Sequence, residues 1–368
     1  MRIVLTGGGT GGHIYPALAV GKQALQDIPG TSLLYIGTTK GLESRIVPAA
    51  DIPFEAVEIT GFKRKLSLEN VKTVLRFLKA TSRSKELLRR FKPDVVVGTG
   101  GYVCGPVVYA AARLGIPTLI HEQNVIPGLT NQFLSRYAKT VAVSFEDSAS
   151  HFTGKHVLFT GNPCATQVLQ ADRAAGYASL GIRPGGRIVL IFGGSRGARA
   201  LNEAVVDMLP ALGTLADVHF VFVTGESYYE TIQQQLKSRA VPANLVVLPY
   251  LHNMAQVLAA SSLVVSRSGA STLAELTALG IPSILIPSPN VTNNHQEHNA
   301  RGLAVAGAAE MVLEKELSGE RLLGDIRAIM TSPERLAAMK QAALTLGKPE
   351  SASLIINELR RLAQQRQR

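Results

Sequence analysis

Short apolar runs bounded by Gly, Pro, Ser or Thr recur along the chain, each followed by a segment whose apolar positions keep helical spacing. The first set covers residues 3–6, 33–37, 94–98, 117–120 and 141–144. Runs without polar alternation are those of parallel strands covered on both faces. After Gly161-Asn162-Pro163 the pattern restarts, with runs at 188–192, 220–223, 245–248, 263–266 and 284–287. The two sets open alike, since Val4-Leu5-Thr6-Gly7-Gly8-Gly9 and Leu190-Ile191-Phe192-Gly193-Gly194-Ser195 both run a strand into a glycine turn. The pattern predicts an α/β protein of two Rossmann-like parallel-sheet halves, with ligands beyond the carboxyl ends of the strands in a cleft where the halves face. The tail from about residue 350 reads as a helix.

A length of 368 residues agrees with that division. Hydrophobic residues at 46 % against 18 % charged exclude a disordered chain and a coiled coil. Cys104 and Cys164 have no CxxC partner, so neither a disulfide framework nor a zinc knuckle is available and a reducing compartment is expected. Met1 runs straight into the first strand, which predicts no secretory signal, and no run is apolar for the ~18 residues a membrane span needs.

The net charge of +11 is concentrated. Between Gly61 and Lys92, eleven basic residues (Lys63, Arg64, Lys65, Lys72, Arg76, Lys79, Arg83, Lys85, Arg89, Arg90, Lys92) stand against Glu69 and Glu86, a local +9. There Val71, Val74, Leu75 and Leu78 fall at i, i+3, i+4 and i+7, an amphipathic helix with a cationic flank. Two readings stand: a core-packed helix with a solvated basic face, or a surface helix for anionic lipid, held reversibly at about 1 kcal/mol per cation. Nucleic acid is not expected, because Phe62, Phe77 and Phe91 are the only aromatics there for stacking.

Candidate chemistry gathers at strand ends. Thr6-Gly7-Gly8-Gly9-Thr10-Gly11-Gly12-His13 satisfies GxGxxG spacing, which brings backbone N–H groups to a phosphate at a helix N-terminus. The next strand ends Tyr35-Ile36-Gly37-Thr38-Thr39 without the acid that holds a nicotinamide ribose, and no Walker A lysine follows any glycine run. Gly98-Thr99-Gly100-Gly101-Tyr102 and Gly193-Gly194-Ser195-Arg196-Gly197-Ala198-Arg199 are two further turns of this kind. Packing alone could require each glycine turn; three of them point to more than one phosphate-bearing ligand. Ser266-Arg267-Ser268-Gly269-Ala270 leads into a helix carrying Glu275, placed either to accept two ribose hydroxyls or merely solvated. Asn293-Asn294-His295-Gln296-Glu297-His298-Asn299 offers amides that both donate and accept, as sugar hydroxyls require. It lacks HExxH spacing, and no acidic DxD pair is present, so no essential metal and no cofactor are expected. His121-Glu122-Gln123-Asn124 closes another strand; His13 and Glu122 are the candidates for proton abstraction, whereas His121 reads as a satisfied core residue.

Together, Thr10-Gly11-Gly12-His13, Gly100-Gly101-Tyr102, His121-Glu122-Gln123-Asn124, Gly194 to Arg199, Arg267-Ser268-Gly269-Ala270 with Glu275, and Gln296 with Asn299 resemble, in order, the motifs of the MurG family. These are bacterial transferases that move N-acetylglucosamine (GlcNAc) from UDP-GlcNAc to undecaprenyl-diphospho-N-acetylmuramoyl-pentapeptide (lipid I), making lipid II for peptidoglycan. The resemblance implies a GT-B architecture whose C-terminal helix crosses back onto the first domain. It implies domains at 1–163 with about 345–368, and at 164–344, with a hinge near 161–163. It also implies inverting transfer to the C4 hydroxyl, in a β-1,4 linkage.

On this resemblance the donor meets Leu251 through its backbone at the uracil, Glu275 at the ribose, Ser195 and the turn around it at the diphosphate and Gln296 at the sugar, with Arg199, Asn202 and Asn299 as further donor-binding residues. Thr10, Gly11, Gly12 and Asn124 contribute from the other domain. Gly9, Gly100, Gly101 and Tyr102 hold the acceptor diphosphate, His13 is the first choice of base and Glu122 the second. The implied location is the cytoplasmic face of the bacterial membrane, as a peripheral protein, with cell-wall synthesis and division proteins as partners. One departure stands out: Cys164-Ala165 follows Gly-Asn-Pro where the family often has an arginine, so Arg196 or Arg199 would have to replace that cation. A UDP-sugar epimerase and a non-catalytic nucleotide-sugar sensor are the rival readings.

Overall fold

A computed structural model describes residues 1–60 and 68–367. Phe62, Lys63, Arg64 and Lys65 of the basic stretch lie outside these described residues, as do the side chains of Glu69, Val71 and Lys72. The chain divides into two compact units, Met1–Thr166 with Pro349–Arg368, and Gln167–Lys348.

The first unit holds one parallel sheet of seven strands: β1 (Arg2–Thr6), β2 (Ser32–Gly37), β3 (Phe54–Ala56), β4 (Val95–Gly98), β5 (Thr118–Glu122), β6 (Thr140–Val143) and β7 (Val157–Phe159), in the order β3-β2-β1-β4-β5-β6-β7. Alternate side chains leave opposite faces, which explains why the runs show no polar alternation. Val4, Ile36 and Val96 pack towards the helices Leu68–Phe91 and Cys104–Arg113. Ile3, Leu5, Val95 and Val97 pack towards Gly11–Asp27 and the C-terminal helix Ser351–Gln367 through Ile14, Val20, Ile355 and Leu359.

Polar anchors fix the C-terminal helix to this unit. Glu358, 6 % exposed, accepts from Thr140 and from both Nε and Nη2 of Arg361. Burial alone would raise its carboxyl pKa, but the bonds from Arg361 and Thr140 and the Arg361 charge hold it below the usual range. Arg360 donates to the Asp27 carbonyl at 2.7 Å, and Arg366 to that of Pro93.

The second unit repeats the plan with β8 (Arg187–Phe192), β9 (Val218–Val223), β10 (Leu245–Leu248), β11 (Leu263–Ser266), β12 (Ser283–Leu285) and β13 (Ala309–Met311), ordered β10-β9-β8-β11-β12-β13. In each sheet the order reverses beside the first strand, so the loops after β1 and β4, and after β8 and β11, diverge around a crevice. The expected fold class therefore holds, including a C-terminal helix seated on the first unit. The short edge strands β3, β7 and β13 are additions to the expected elements.

The helix Leu68–Phe91 packs on the core through a different face from the one its apolar period predicts. Its inward face is made by Thr73, Ala80, Thr81, Ser84, Leu87 and Leu88. Phe77 contacts the rings of Tyr109 and Phe133. Val74, Leu75 and Leu78 are 47, 55 and 59 % exposed, so this apolar stripe is not the core-packed face that one reading offered.

Candidate active site

In the first unit the motifs meet at the reversal point between β1 and β4. Thr99 N–H donates to the Thr6 carbonyl at 2.9 Å, and Thr99 Oγ1 to the His13 carbonyl at 2.7 Å. Gly8 N–H donates to the Gly100 carbonyl at 3.2 Å, which locks the first glycine loop to the second. The contact needs glycine at 101: its φ is +80°, and a Cβ there would stand 2.2 Å from the Gly8 oxygen. Cys104 donates to the carbonyls of Thr6 and Gly100, both at 3.0 Å, and burial pushes its thiol up to about 12, so it stays protonated and structural.

His13 lies at the start of the helix Gly11–Asp27, with its ring beside Gly100. Its Nδ1 is 2.9 Å from the Gly8 carbonyl oxygen and 3.4 Å from Thr10 Oγ1. A carbonyl only accepts, so Nδ1 carries the hydrogen and Nε2 holds the lone pair, the tautomer a base needs. Thr10 and Gly12 are exposed and Gly11 half-buried, at a helix start without a side-chain cap. Tyr102 is 37 % exposed beside Gly9.

Three expectations for this unit need correction. Gly9 was to offer its amide to a phosphate, but that N–H donates to Glu43 Oε2 at 3.2 Å. The Gly100 N–H is likewise engaged, by Cys104 Sγ at 3.2 Å. Glu122, the second choice of base, is 1 % exposed and its carboxylate accepts from Asn124 N, Asn124 Nδ2, Gly128 N and Asn131 Nδ2 at 2.9 to 3.3 Å. Four donors fill the lone pairs a base would use, so Glu122 shapes the 124–131 loop and directs Asn124 inward. His121 is the core residue expected: its Nε2 is 2.9 Å from the Gly161 carbonyl, and burial lowers its pKa to about 4.

Sequence reasoning missed Glu43. This residue is fully buried and takes hydrogens from Gly9 N, Thr38 N at 3.1 Å and Thr38 Oγ1 at 2.6 Å. A Cβ at Gly8, Gly37 or Gly41 would strike it within 2.8 Å. An acid two residues after Gly41 and six after Gly37 was the available signal.

In the second unit the loop after β8 closes by Gly197 N–H to the Gly194 carbonyl at 3.0 Å. Its apex, Gly194, Ser195 and Arg196, is exposed. Gly197 crosses the Thr224-Gly225 turn, a further glycine turn absent from the sequence reading, where a Cβ would stand 2.2 Å from the Thr224 oxygen. Asn202 is 1 % exposed and donates to that same oxygen at 3.0 Å, so it supports the loop from below instead of facing a ligand. Arg199 is exposed and paired with Glu203 at 2.7 Å. Asn299 is fully buried with Nδ2 3.4 Å from the Ser268 carbonyl, again a support for a loop.

Gln296 is half-buried, with Oε1 accepting from Ser288 N at 2.9 Å and its backbone carbonyl from Ser268 Oγ at 2.8 Å. Leu251 is 6 % exposed just after β10. Arg267 bonds the carbonyls of Ile286 and Pro287 and pairs with Glu314, tying β11 to β12. Glu275 is half-buried, has no hydrogen-bond partner among the described residues, and burial raises its carboxyl pKa to about 7. No group of three or more His, Cys, Asp or Glu is placed to hold a metal ion among the described residues.

Comparison with known proteins identifies the family. Residues 3–143 match the model of the glycosyltransferase family 28 N-terminal domain, and residues 188–358 that of its C-terminal domain. A protein of Halalkalibacterium halodurans, named UDP-N-acetylglucosamine--N-acetylmuramyl-(pentapeptide) pyrophosphoryl-undecaprenol N-acetylglucosamine transferase, is 57 % identical over 96 % of this chain and 97 % of its own. One of Bacillus cereus with the same name, numbered 1, is 53 % identical over 98 and 99 %. The crystal structure of Acinetobacter baumannii MurG superposes with a TM-score of 0.76 at 32 % identity, covering 98 and 99 % of the two chains. A UDP-GlcNAc 2-epimerase from Neisseria meningitidis shares the fold alone, with a TM-score of 0.69 at 15 % identity over 98 and 100 %. With two parallel sheets, glycine loops at both reversal points and both family domains matched in order, the chain belongs to glycosyltransferase family 28.

Proposed function

We propose that the chain transfers N-acetylglucosamine from UDP-GlcNAc to lipid I, the lipid-linked muramoyl-pentapeptide, to form lipid II. What carries the reading is identity above one half, over nearly the whole chain, with transferases of that name. The likeness to an epimerase is one of fold, and a non-catalytic sensor has no use for a histidine held in the basic tautomer.

In this reading His13 Nε2 takes the proton of the acceptor C4 hydroxyl. The oxygen lone pair bonds C1 of the sugar from the face opposite the diphosphate, the C1–O bond breaks, and UDP leaves with the electron pair, inverting the anomeric centre. A positioned base contributes about 10² to 10⁴ in rate. In the first unit Gly101 and Tyr102 serve the acceptor diphosphate, because Gly9 and Gly100 have spent their amides. In the second unit the exposed Gly194-Ser195-Arg196 turn serves the donor diphosphate and stabilises the departing charge. Arg196, which forms no ion pair among the described residues, is a better stand-in for the family's arginine than Arg199, already paired with Glu203.

Glu275 serves the ribose and Gln296 Nε2 the sugar, while Asn202 and Asn299 act only through the loops they support. The backbone at Leu251 meets the uracil. The exposed stripe Val74, Leu75 and Leu78, with Arg76 and Lys79 beside it, lies on an anionic bilayer and brings the enzyme to its membrane-held acceptor. No helix among the described residues is long and apolar enough to cross a membrane.

Three measurements test these assignments. With UDP-GlcNAc in EDTA, UDP release is expected only when a short-chain lipid-linked muramoyl-pentapeptide is present, with a disaccharide lipid as product; release without acceptor would sink the transferase reading. The donor KM is expected to fall as pH rises through about 7, where Glu275 ionises and accepts both ribose hydroxyls; the Glu275→Gln protein should show no such step, and an unchanged step would remove Glu275 from the ribose. Leu75→Ser with Leu78→Ser should cut binding to phosphatidylglycerol vesicles about tenfold or more, since each buried side chain is worth about 1.5 to 3 kcal/mol, and leave turnover of a water-soluble acceptor intact. Unchanged vesicle binding would detach this helix from the membrane.

A further inference from the structure

The buried acid beneath the first glycine loop has no part in the chemistry described so far. Glu43 accepts from Gly9 N–H, and His13 Nδ1–H donates to the Gly8 carbonyl. These two groups belong to one peptide bond. A carboxylate, a peptide and an imidazole are therefore linked in series, Glu43 Oε2 to N–H of Gly9 at 3.2 Å and C=O of Gly8 to Nδ1 of His13 at 2.9 Å.

We propose that Glu43 is a positioning residue for the transfer, holding and polarising His13 through the Gly8–Gly9 peptide as a carboxylate does by direct contact in a hydrolase triad. The inference rests on the reading of His13 as the base. A negative charge on the N–H side of a peptide draws electron density onto its carbonyl oxygen, and hydrogen bonds in series strengthen one another. The Gly8 oxygen becomes a stronger acceptor, fixes the Nδ1–H tautomer and stabilises the imidazolium formed when Nε2 takes a proton.

The surroundings of Glu43 are those of a hydrogen-bond acceptor. Every group bonded to it is a donor, whereas a carboxylic acid would need one acceptor for its own hydrogen. Thr38 Oγ1 accepts from Gly41 N–H at 3.1 Å and donates to Glu43 Oε1 at 2.6 Å. The carboxylate fills the space that a Cβ at Gly8 or Gly41 would take, and its bonds from Gly9 N, Thr38 N and Thr38 Oγ1 turn it towards the peptide.

The titratable groups around the loop on neighbouring elements are Tyr15, Tyr35, Tyr102 and Cys104. Tyr35 donates its hydroxyl to the Gly7 carbonyl at 2.7 Å; burial, then the nearness of Cys104 and Glu43, raises its pKa well above the usual value. With the Cys104 thiol pushed up to about 12, neither takes part in a profile between pH 5.5 and 9 run as ~8 points.

The test is the Glu43→Gln protein, in which an N–H must face either Gly9 N–H or Thr38 N–H and the charge is gone. The acid limb of kcat/KM for the acceptor is expected to move to lower pH by about half a unit or more, the effect of removing a unit charge at this remove. The plateau should fall about tenfold. The donor KM should stay within about twofold, since Glu43 touches nothing assigned to the donor. An acid limb and plateau equal to those of the unaltered protein would overturn the proposal.

A second readout does not depend on the variant folding. In the unaltered protein labelled with ¹⁵N-histidine, the His13 resonances, identified by their loss in His13→Gln, should report hydrogen on Nδ1. Hydrogen on Nε2 would overturn the proposal. His13→Gln also separates the two claims: activity kept within a few-fold removes the base itself, whereas activity lost there with an unmoved limb in Glu43→Gln removes only the role of Glu43.

Discussion

One peptide unit, Gly8–Gly9, is the constraint on which the first unit's site depends. Where the strand order of a parallel sheet reverses, the loops leaving the two central strands diverge, and something other than the sheet must fix their distance. Here Gly8 N–H reaches the Gly100 carbonyl across the reversal, the Gly8 carbonyl takes the His13 ring, and Gly9 N–H takes Glu43. Glycine is required at 8 and 101 because the Glu43 carboxyl and the Gly8 oxygen occupy the space a side chain would fill. The sequence signature GGGTGGH is thus read only partly by a ligand. Its first half is read by the protein itself.

The second unit meets the same constraint with other means. Gly197 passes over the Thr224 carbonyl, Asn202 bonds that carbonyl from below, and the Arg267–Glu314 pair ties the ends of β11 and β12. A half-buried ion pair of this kind brings little net stability but fixes geometry. What remains exposed is Gly194 to Arg196, whose carbonyls at 194 and 196 are taken by Gly197 N–H and Ser227 Oγ, and this is the turn proposed for a diphosphate.

Much of this was legible in the chain. Central strands announce themselves because both faces are buried, so β1, β4, β8 and β11 read as unbroken apolar runs. β3, β7 and β13 did not, being three-residue edge strands such as Phe54–Ala56 that bury too little to leave a pattern. The glycine loops were visible, but not which amides were spent. Gly9 lies 34 residues from Glu43, and nothing in the local pattern pairs them. The internal bonds of Glu122, Asn202 and Asn299 were not legible for a common reason: polar residues beside a site's loops look alike in sequence whether they face a ligand or hold the loop that does. In the helix Leu68–Phe91 the helical period was plain, but the buried face proved to be the small residues Thr73, Ala80, Thr81 and Ser84, leaving the larger apolar stripe outside. Close approach to the helix Cys104–Arg113, where Phe77 lies against Gly105, explains that choice.

The central claim is that the donor's nucleotide is held mainly at the second unit's reversal point, by the loops after β8 and β11. Amide hydrogen exchange of the whole protein with and without UDP tests it directly. The account expects the strongest protection in residues 193–199, 266–275 and 288–299. Strongest protection in residues 7–13 and 99–103 instead would contradict it, by putting the nucleotide at the loops assigned to the acceptor.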